Sequence, residues 1–314
     1  MKIIDTHCDA LVRLWGGPRK IRFSDSNELH TNFSRLQAGE VSLQCFAIFV
    51  PAHIKTEQKF QVALEQIDIF HTEILAKHPK VKHIICWDDI ENLKPDEIGG
   101  MLTLEGADVI GNDLTKLRIL YRLGIMSIGL TWNGSNLCAD GIEEKRGAGL
   151  TELGKQIVIL NNQELVWTDV SHLSEKSFWD VIDLAKYPIA SHSNSRTLHD
   201  NPRNLSDRQA EVLFNRNGFV GIGFYPPFVK VDGEVSIGDL ITHIDHFCSL
   251  GGVNHICLGS DFDGVELTIK DLENSSMYQN LINELLKHFK EEEVKGIAYQ
   301  NFINHRPTML ENTR

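Results

Sequence analysis

Leu165-Val166-Trp167-Thr168-Asp169-Val170-Ser171-His172 and Pro188-Ile189-Ala190-Ser191-His192 decide how the chain is read. Each stretch is a short apolar run closed by a histidine, and the two histidines stand 20 residues apart. That spacing is about one strand–helix unit. Working outward, runs of the same character recur at 2–6, 41–50, 100–104, 125–131, 219–224 and 255–259. With 165–170 and 188–191 they make eight. They are continuous rather than alternating, the pattern of strands buried on both faces.

Helical signals fill the intervals. Residues 57–78 place Phe60, Leu64, Ile67, Phe70 and Ile74 near helical spacing. Ser206-Asp207-Arg208-Gln209 is a capping box, and Gly218 is placed to end that helix. Ser236 starts another helix, and 287–304 reads as a terminal helical region. Strands alternating with helices build parallel units. Eight of them predict a closed (β/α)8 TIM-type barrel forming one domain over residues 1–314. No G-x-G-x-x-G follows a strand, which removes the best sign of a dinucleotide fold. A ninth run at 81–87 is either an edge strand or an addition outside the main sheet.

Composition narrows the function classes. The 314 residues carry 31 Lys and Arg against 43 Asp and Glu, a formal charge of −12. That balance argues against a nucleic-acid groove or an anionic membrane surface. No signal-like leader or membrane span is visible. The six cysteines are scattered without a C-x-x-C pair, as in a cytoplasmic protein with reduced thiols.

In a barrel, chemistry sits at the carboxyl ends of the strands. The first run ends Asp5-Thr6-His7-Cys8-Asp9, and strand alternation puts Asp5, His7 and Asp9 on one face. The third run ends on Glu105, which taken alone reads as a loop charge. His172 and His192 close adjacent runs. A lone histidine at a strand end is usually structural; two in register with carboxylates from other strands are not. The last run ends Ser260-Asp261-Phe262-Asp263-Gly264, where Asp261 is a general base or further ligand and Asp263 fits a turn. His7, Asp9, Glu105, His172 and His192 suit zinc or a similar divalent ion. Five ligands exceed what one catalytic zinc usually takes, and they fit two metals sharing the glutamate. His243 and His246 read as a solvated helix face rather than a second metal pair.

These residues resemble the membrane (renal) dipeptidase family, zinc peptidases of the amidohydrolase-like metal-dependent barrels. The resemblance runs from Ile4-Asp5-Thr6-His7-Cys8-Asp9 to Gln300-Asn301-Phe302 and is most specific at Gly259-Ser260-Asp261-Phe262-Asp263-Gly264-Val265. It implies two zinc ions per chain. His7, Asp9 and Glu105 hold one; Glu105 bridges to a second on His172 and His192. It makes Asp261 the catalytic general base and acid, serving a metal-bridging hydroxide. Arg203 becomes the residue that grips the carboxylate of a small dipeptide, with Tyr225 touching substrate. It also implies tolerance of a D-residue at the C-terminal position. One position departs: Trp132, followed by Asn133, stands where mammalian members carry a histidine that contacts the scissile carbonyl. Trp132 and Asn133 then shape a different substrate wall.

The expectation is a cytoplasmic metalloprotease of dipeptides, with no nucleic-acid partner and no membrane anchor. A homodimer is allowed for. The rivals are another amidohydrolase-type enzyme, such as a lactonase or deaminase, and a weakly catalytic relative that only binds metal or peptide. His7-x-Asp9 and the glutamate bridge favour the dipeptidase over the first, because those relatives usually carry H-x-H or a bridging lysine.

Overall fold

The computed structural model describes residues 1–17 and 21–308; the remainder of the expected 1–314 domain lies outside the described residues. Among the described residues nine strands form, β1 (Ile3–Cys8), β2 (Val41–Phe49), β3 (Val81–Ile84), β4 (Ile98–Glu105), β5 (Ile125–Gly129), β6 (Trp167–Asp169), β7 (Pro188–Ile189), β8 (Val220–Ile222) and β9 (Ile256–Leu258). They lie in the order β7-β6-β5-β4-β2-β1-β9-β8. The two ends meet at a parallel bridge between Ala190 and Val220. There Ala190 N donates to Phe219 O at 2.9 Å and Gly221 N donates to Ala190 O at 2.8 Å. Eight strands thus close into the (β/α)8 barrel. The ninth run is the addition. β3 pairs with the lower part of β4, from Ile98 to Met101, while β5 takes the upper part from Leu102.

The lower barrel is packed with side chains from nearly every strand, among them Ile4, Cys45, Met101, Met126, Trp167, Ile189, Phe219 and Cys257. Phe302 of the terminal helix Asn301–Asn304 seals that end, its ring centroid 5.0 Å from that of Trp167. A larger apolar layer lies between the strands and the surrounding helices. With the barrel interior filled at the lower end, the cavity of about 850 Å³ opens at the upper end, where the strands finish.

Several local expectations are met and several are corrected. Ser206 caps the helix Asp207–Asn215, accepting from Gln209 N while its own N–H donates to the Gln209 side chain. The left-handed residue after that helix is Asn217, with φ 55°, not Gly218. Gly218 is needed for another reason: a Cβ there would lie 2.2 Å from Pro188 O. His243 is not solvated. It is buried on the helix Ile237–Ser249, accepting from Ser195 N at 3.0 Å and donating to Val229 O at 2.9 Å.

The face alternation of β1 also fails. Pairing with β2 steps from Asp5–Gln44 to Cys8–Phe46, so β1 spends one extra residue. Such a bulge breaks the two-residue alternation. Asp5 consequently turns to Tyr278, Ser260 and Gln44, whose side chains donate to it at 2.6, 2.7 and 3.0 Å.

Candidate metal and substrate site

Five strand ends converge above the filled layer. Glu105 is central. Its Oε1 lies 2.8 Å from His172 Nε2, 3.7 Å from His192 Nε2 and 3.9 Å from His7 Nε2. His7 Nε2 also lies 3.3 Å from Asp9 Oδ2 and 3.9 Å from Asp261 Oδ1. His7, Glu105 and His192 form one group close enough to share an ion; His7, Asp9 and Asp261 form another. All six side chains are largely buried.

The hydrogen-bond network assigns the imidazoles. Asp169 is acceptor-only. Ser191 Oγ donates to its Oδ2, and Ser191 N and Ser171 N each donate to its Oδ1 at 3.0 Å. Ser191 Oγ, its proton committed, accepts from His192 Nδ1 at 2.8 Å. His172 Nδ1 meets Asn133 Oδ1 at 2.6 Å and donates to it. Both rings therefore carry the proton on Nδ1 and present bare Nε2 atoms, which face each other at 2.9 Å. Two lone pairs at that distance repel unless a cation lies among them. His7 Nε2 and Asp9 Oδ1 are buried without a hydrogen-bond partner among the described residues. This donor set, imidazole and carboxylate with proton-bearing nitrogens turned outward, fits a divalent transition metal.

The electrostatics agree. Burial, reinforced by Arg203 and His7, holds His172 and His192 well below the ordinary imidazole range, hence neutral. Burial alone would lower His7 too, but Glu105, Asp9 and Asp261 together push it up to about 10. Burial raises the carboxyls of Glu105, Asp9 and Asp261, the last well above its usual value. A cluster of carboxylates that draws a proton onto a buried imidazole is one that draws a cation.

Backbone strain concentrates here. His172, Asp261 and Asp263 take left-handed φ values of 67°, 62° and 71°. The turn sends Asp261 toward His7 and Asp263 away. Asp263 accepts from His30 N at 2.7 Å and Thr31 N at 2.9 Å, the turn role rather than a ligand role. Gly264 completes the cradle: a Cβ there would lie 2.2 Å from Asp9 Oδ2 and 2.6 Å from Asp261 Oδ1.

The cluster floors a cavity of about 850 Å³. Phe49 and Trp132 line one part of its wall, Arg203, Tyr225 and Phe228 another. Trp132 is 38% exposed and leans on Phe49 with ring centroids 5.2 Å apart. Arg203 is buried, and its guanidinium lies 5.3 Å from the centroid of the Phe228 ring. Among the described residues its Nε has no hydrogen-bond partner and no carboxylate pairs with its guanidinium. Asn133 lines the cavity too, but its amide is engaged with His172 and with Glu143 Oε1, the latter at 3.0 Å.

The structure thus gathers all ten side chains expected at the site around one cavity or its floor. Asp169 and Ser191, which orient His192, were not expected. The available signal was the rule that a metal-ligating histidine donates its other N–H to an oxygen, with Ser191 directly preceding His192.

Comparison with known proteins supplies the context. The profile of the membrane dipeptidase family (peptidase family M19) matches residues 1–306. An uncharacterized dipeptidase of Schizosaccharomyces pombe is 30% identical, over 96% of this chain and 79% of its own. The dipeptidase AclJ of Aspergillus oryzae is 31% identical, over 85% of this chain and 67% of its own. A metallopeptidase from Rhodobacter sphaeroides, solved with a phosphinate mimic of the dipeptide L-Ala-D-Ala, superposes with a TM-score of 0.92. It is 26% identical, with 98% of this chain and 99% of that one covered.

Proposed function

Because the chain belongs to the membrane dipeptidase family, peptidase family M19, we propose that it hydrolyses the peptide bond of free dipeptides with two zinc ions per chain. The observation that carries this reading is the pairing of a buried imidazole–carboxylate cluster with one buried guanidinium that has no ion-pair partner among the described residues, both opening into one cavity. His7, Asp9 and Glu105 would hold one zinc; Glu105, His172 and His192 would hold the other. Bound zinc supplies Lewis-acid chemistry, polarising a carbonyl and acidifying water.

The chain's own groups do the rest. Arg203 offers a planar fork of donors to the terminal carboxylate, a match that a lysine cannot reproduce. The carboxylate of a dipeptide lies one residue from the scissile bond, so this grip sets the length of the substrate. Tyr225 and Phe228 wall the same end. Asp261 accepts a proton as water attacks and returns it to the leaving amine nitrogen. Its burial beside His7 places that carboxylate at the floor rather than in bulk solvent. Trp132 on Phe49 gives the other end an apolar wall, which with Asn133 would receive the first residue's side chain.

Tolerance of a D-residue at the second position is part of the proposal, supported by the dipeptide mimic described for the Rhodobacter sphaeroides relative. The six free thiols support a cytoplasmic setting. Among the described residues, no helix is long and apolar enough to cross a membrane. The decisive experiment offers L-Ala-D-Ala, L-Ala-L-Ala, a tripeptide and a lactone to the purified protein, with and without a chelator. Both dipeptides should be cleaved, the tripeptide and lactone should not, and chelation should stop turnover. Lactone hydrolysis without dipeptide hydrolysis would reverse the assignment.

A further inference from the structure

The loop after β5 reaches over the site and meets β6's histidine at several points. Ile142 N donates to His172 O at 2.7 Å, and Gly141 bridges to Leu173. Glu143 N donates to Asn133 O at 2.8 Å, so the loop clamps its own two ends. Through that clamp run the side chains: Asn133 Nδ2 donates to Glu143 Oε1 at 3.0 Å, and His172 Nδ1 donates to Asn133 Oδ1 at 2.6 Å.

The chemistry of this chain of contacts has only one sense. A carboxylate only accepts, so the Asn133 amide must turn its NH2 to Glu143. Its carbonyl then faces His172, which must hold its proton on Nδ1. That leaves Nε2 bare, 2.8 Å from Glu105 Oε1 and 2.9 Å from His192 Nε2. An asparagine without the carboxylate has no such direction. Rotated by half a turn, its NH2 would face Nδ1, favour the opposite tautomer and put a proton on Nε2. Glu143 is well placed to prevent this and is not otherwise engaged: no Lys or Arg among the described residues pairs with it, since Arg146 binds Asp140.

We propose that Glu143 is a positioning residue for His172: by holding the Asn133 amide in one orientation it keeps His172 Nε2 available to a metal ion. The proposal rests on His172 being a metal ligand. Outer partners of this kind change metal affinity by about 10–100-fold.

The test is a double-mutant cycle read as zinc affinity of the full chain, by competition with a chromophoric chelator. Glu143→Ala should weaken zinc by about 10–100-fold. Glu143→Gln, whose amide can donate as well as accept and so no longer fixes the direction of Asn133, should recover only part of it. Asn133→Leu should lose as much as Glu143→Ala, and the double variant should lose no more than either. Unchanged zinc affinity in Glu143→Ala would overturn the proposal. So would equal losses in the Ala and Gln variants that persist on the Asn133→Leu background, because the effect would then belong to the charge of Glu143 alone. Zinc binding is measured without substrate, so failure of the parent protein to cleave dipeptides would overturn the activity alone.

Discussion

Gly264→Ala isolates the geometry of the site in a single methyl group. The added Cβ would stand 2.2 Å from Asp9 Oδ2 and 2.6 Å from Asp261 Oδ1. A carbon and an oxygen in contact need roughly 3.2 Å, so the Asp9 carboxylate must retreat by about 1 Å or the turn must open. Neither move is free. Gly264 N is tied to Asp261 O at 3.1 Å, and Asp9 N donates to Phe262 O at 2.8 Å. A misplacement of about 1 Å in a reacting constellation costs on the order of 100-fold in rate. That is about 2.7 kcal/mol of transition-state stabilisation. Overpacking should also cost about 1–3 kcal/mol of stability. The assay is kcat/KM on L-Ala-D-Ala beside zinc content and thermal unfolding. Gly238→Ala serves as control, since a Cβ there meets only Ser236 Oγ, at 3.6 Å. Turnover within twofold of the parent, with full zinc content, would refute the placement of Asp9 and Asp261 against this glycine.

Three other outcomes are expected. Arg203→Lys keeps the charge and loses the fork, so KM should rise by about tenfold or more with kcat less affected; an unaltered KM on steady-state assay would remove the carboxylate clamp. Asp261→Asn should retain zinc by elemental analysis yet lose about 10²–10⁴-fold in kcat; parent-like turnover would remove its proton-transfer role. In the metal-free protein His7 is held protonated up to about pH 10 by its carboxylates, against the pull of burial. Zinc must displace that proton, so apparent affinity should climb by up to about tenfold per pH unit on the acid side of that value and level off above it. A flat chelator-competition profile between about pH 6 and 9 would contradict the charge balance around His7.

The proposed ligands and their strands were legible because each follows an apolar run, and a strand end is a local property. The bulge in β1 was not. Asp5 and His7 look equivalent in sequence, and only pairing with β2 gives β1 its extra residue and turns Asp5 to Tyr278. His243 reads as a polar helix position, yet the loop residue Ser195 and the carbonyl of Val229 close over it. The ninth run could not be placed because its role depends on which half of β4 it borders.

Sequence alone determined the alternation that makes a barrel and the imidazole and carboxylate side chains proposed to bind metal; Arg203 was singled out by the family resemblance. Backbone periodicity and side-chain chemistry are written residue by residue. Tertiary structure decided which atoms face inward. Asp263 is fastened to Thr31 across 232 residues, Ser260 to Asp5 across 255, and Glu143, Asn133 and His172 are joined only when the loop after β5 folds over β6. Contacts of that span exist only once the sheet has closed, and they choose among side-chain orientations that local sequence leaves equal in energy.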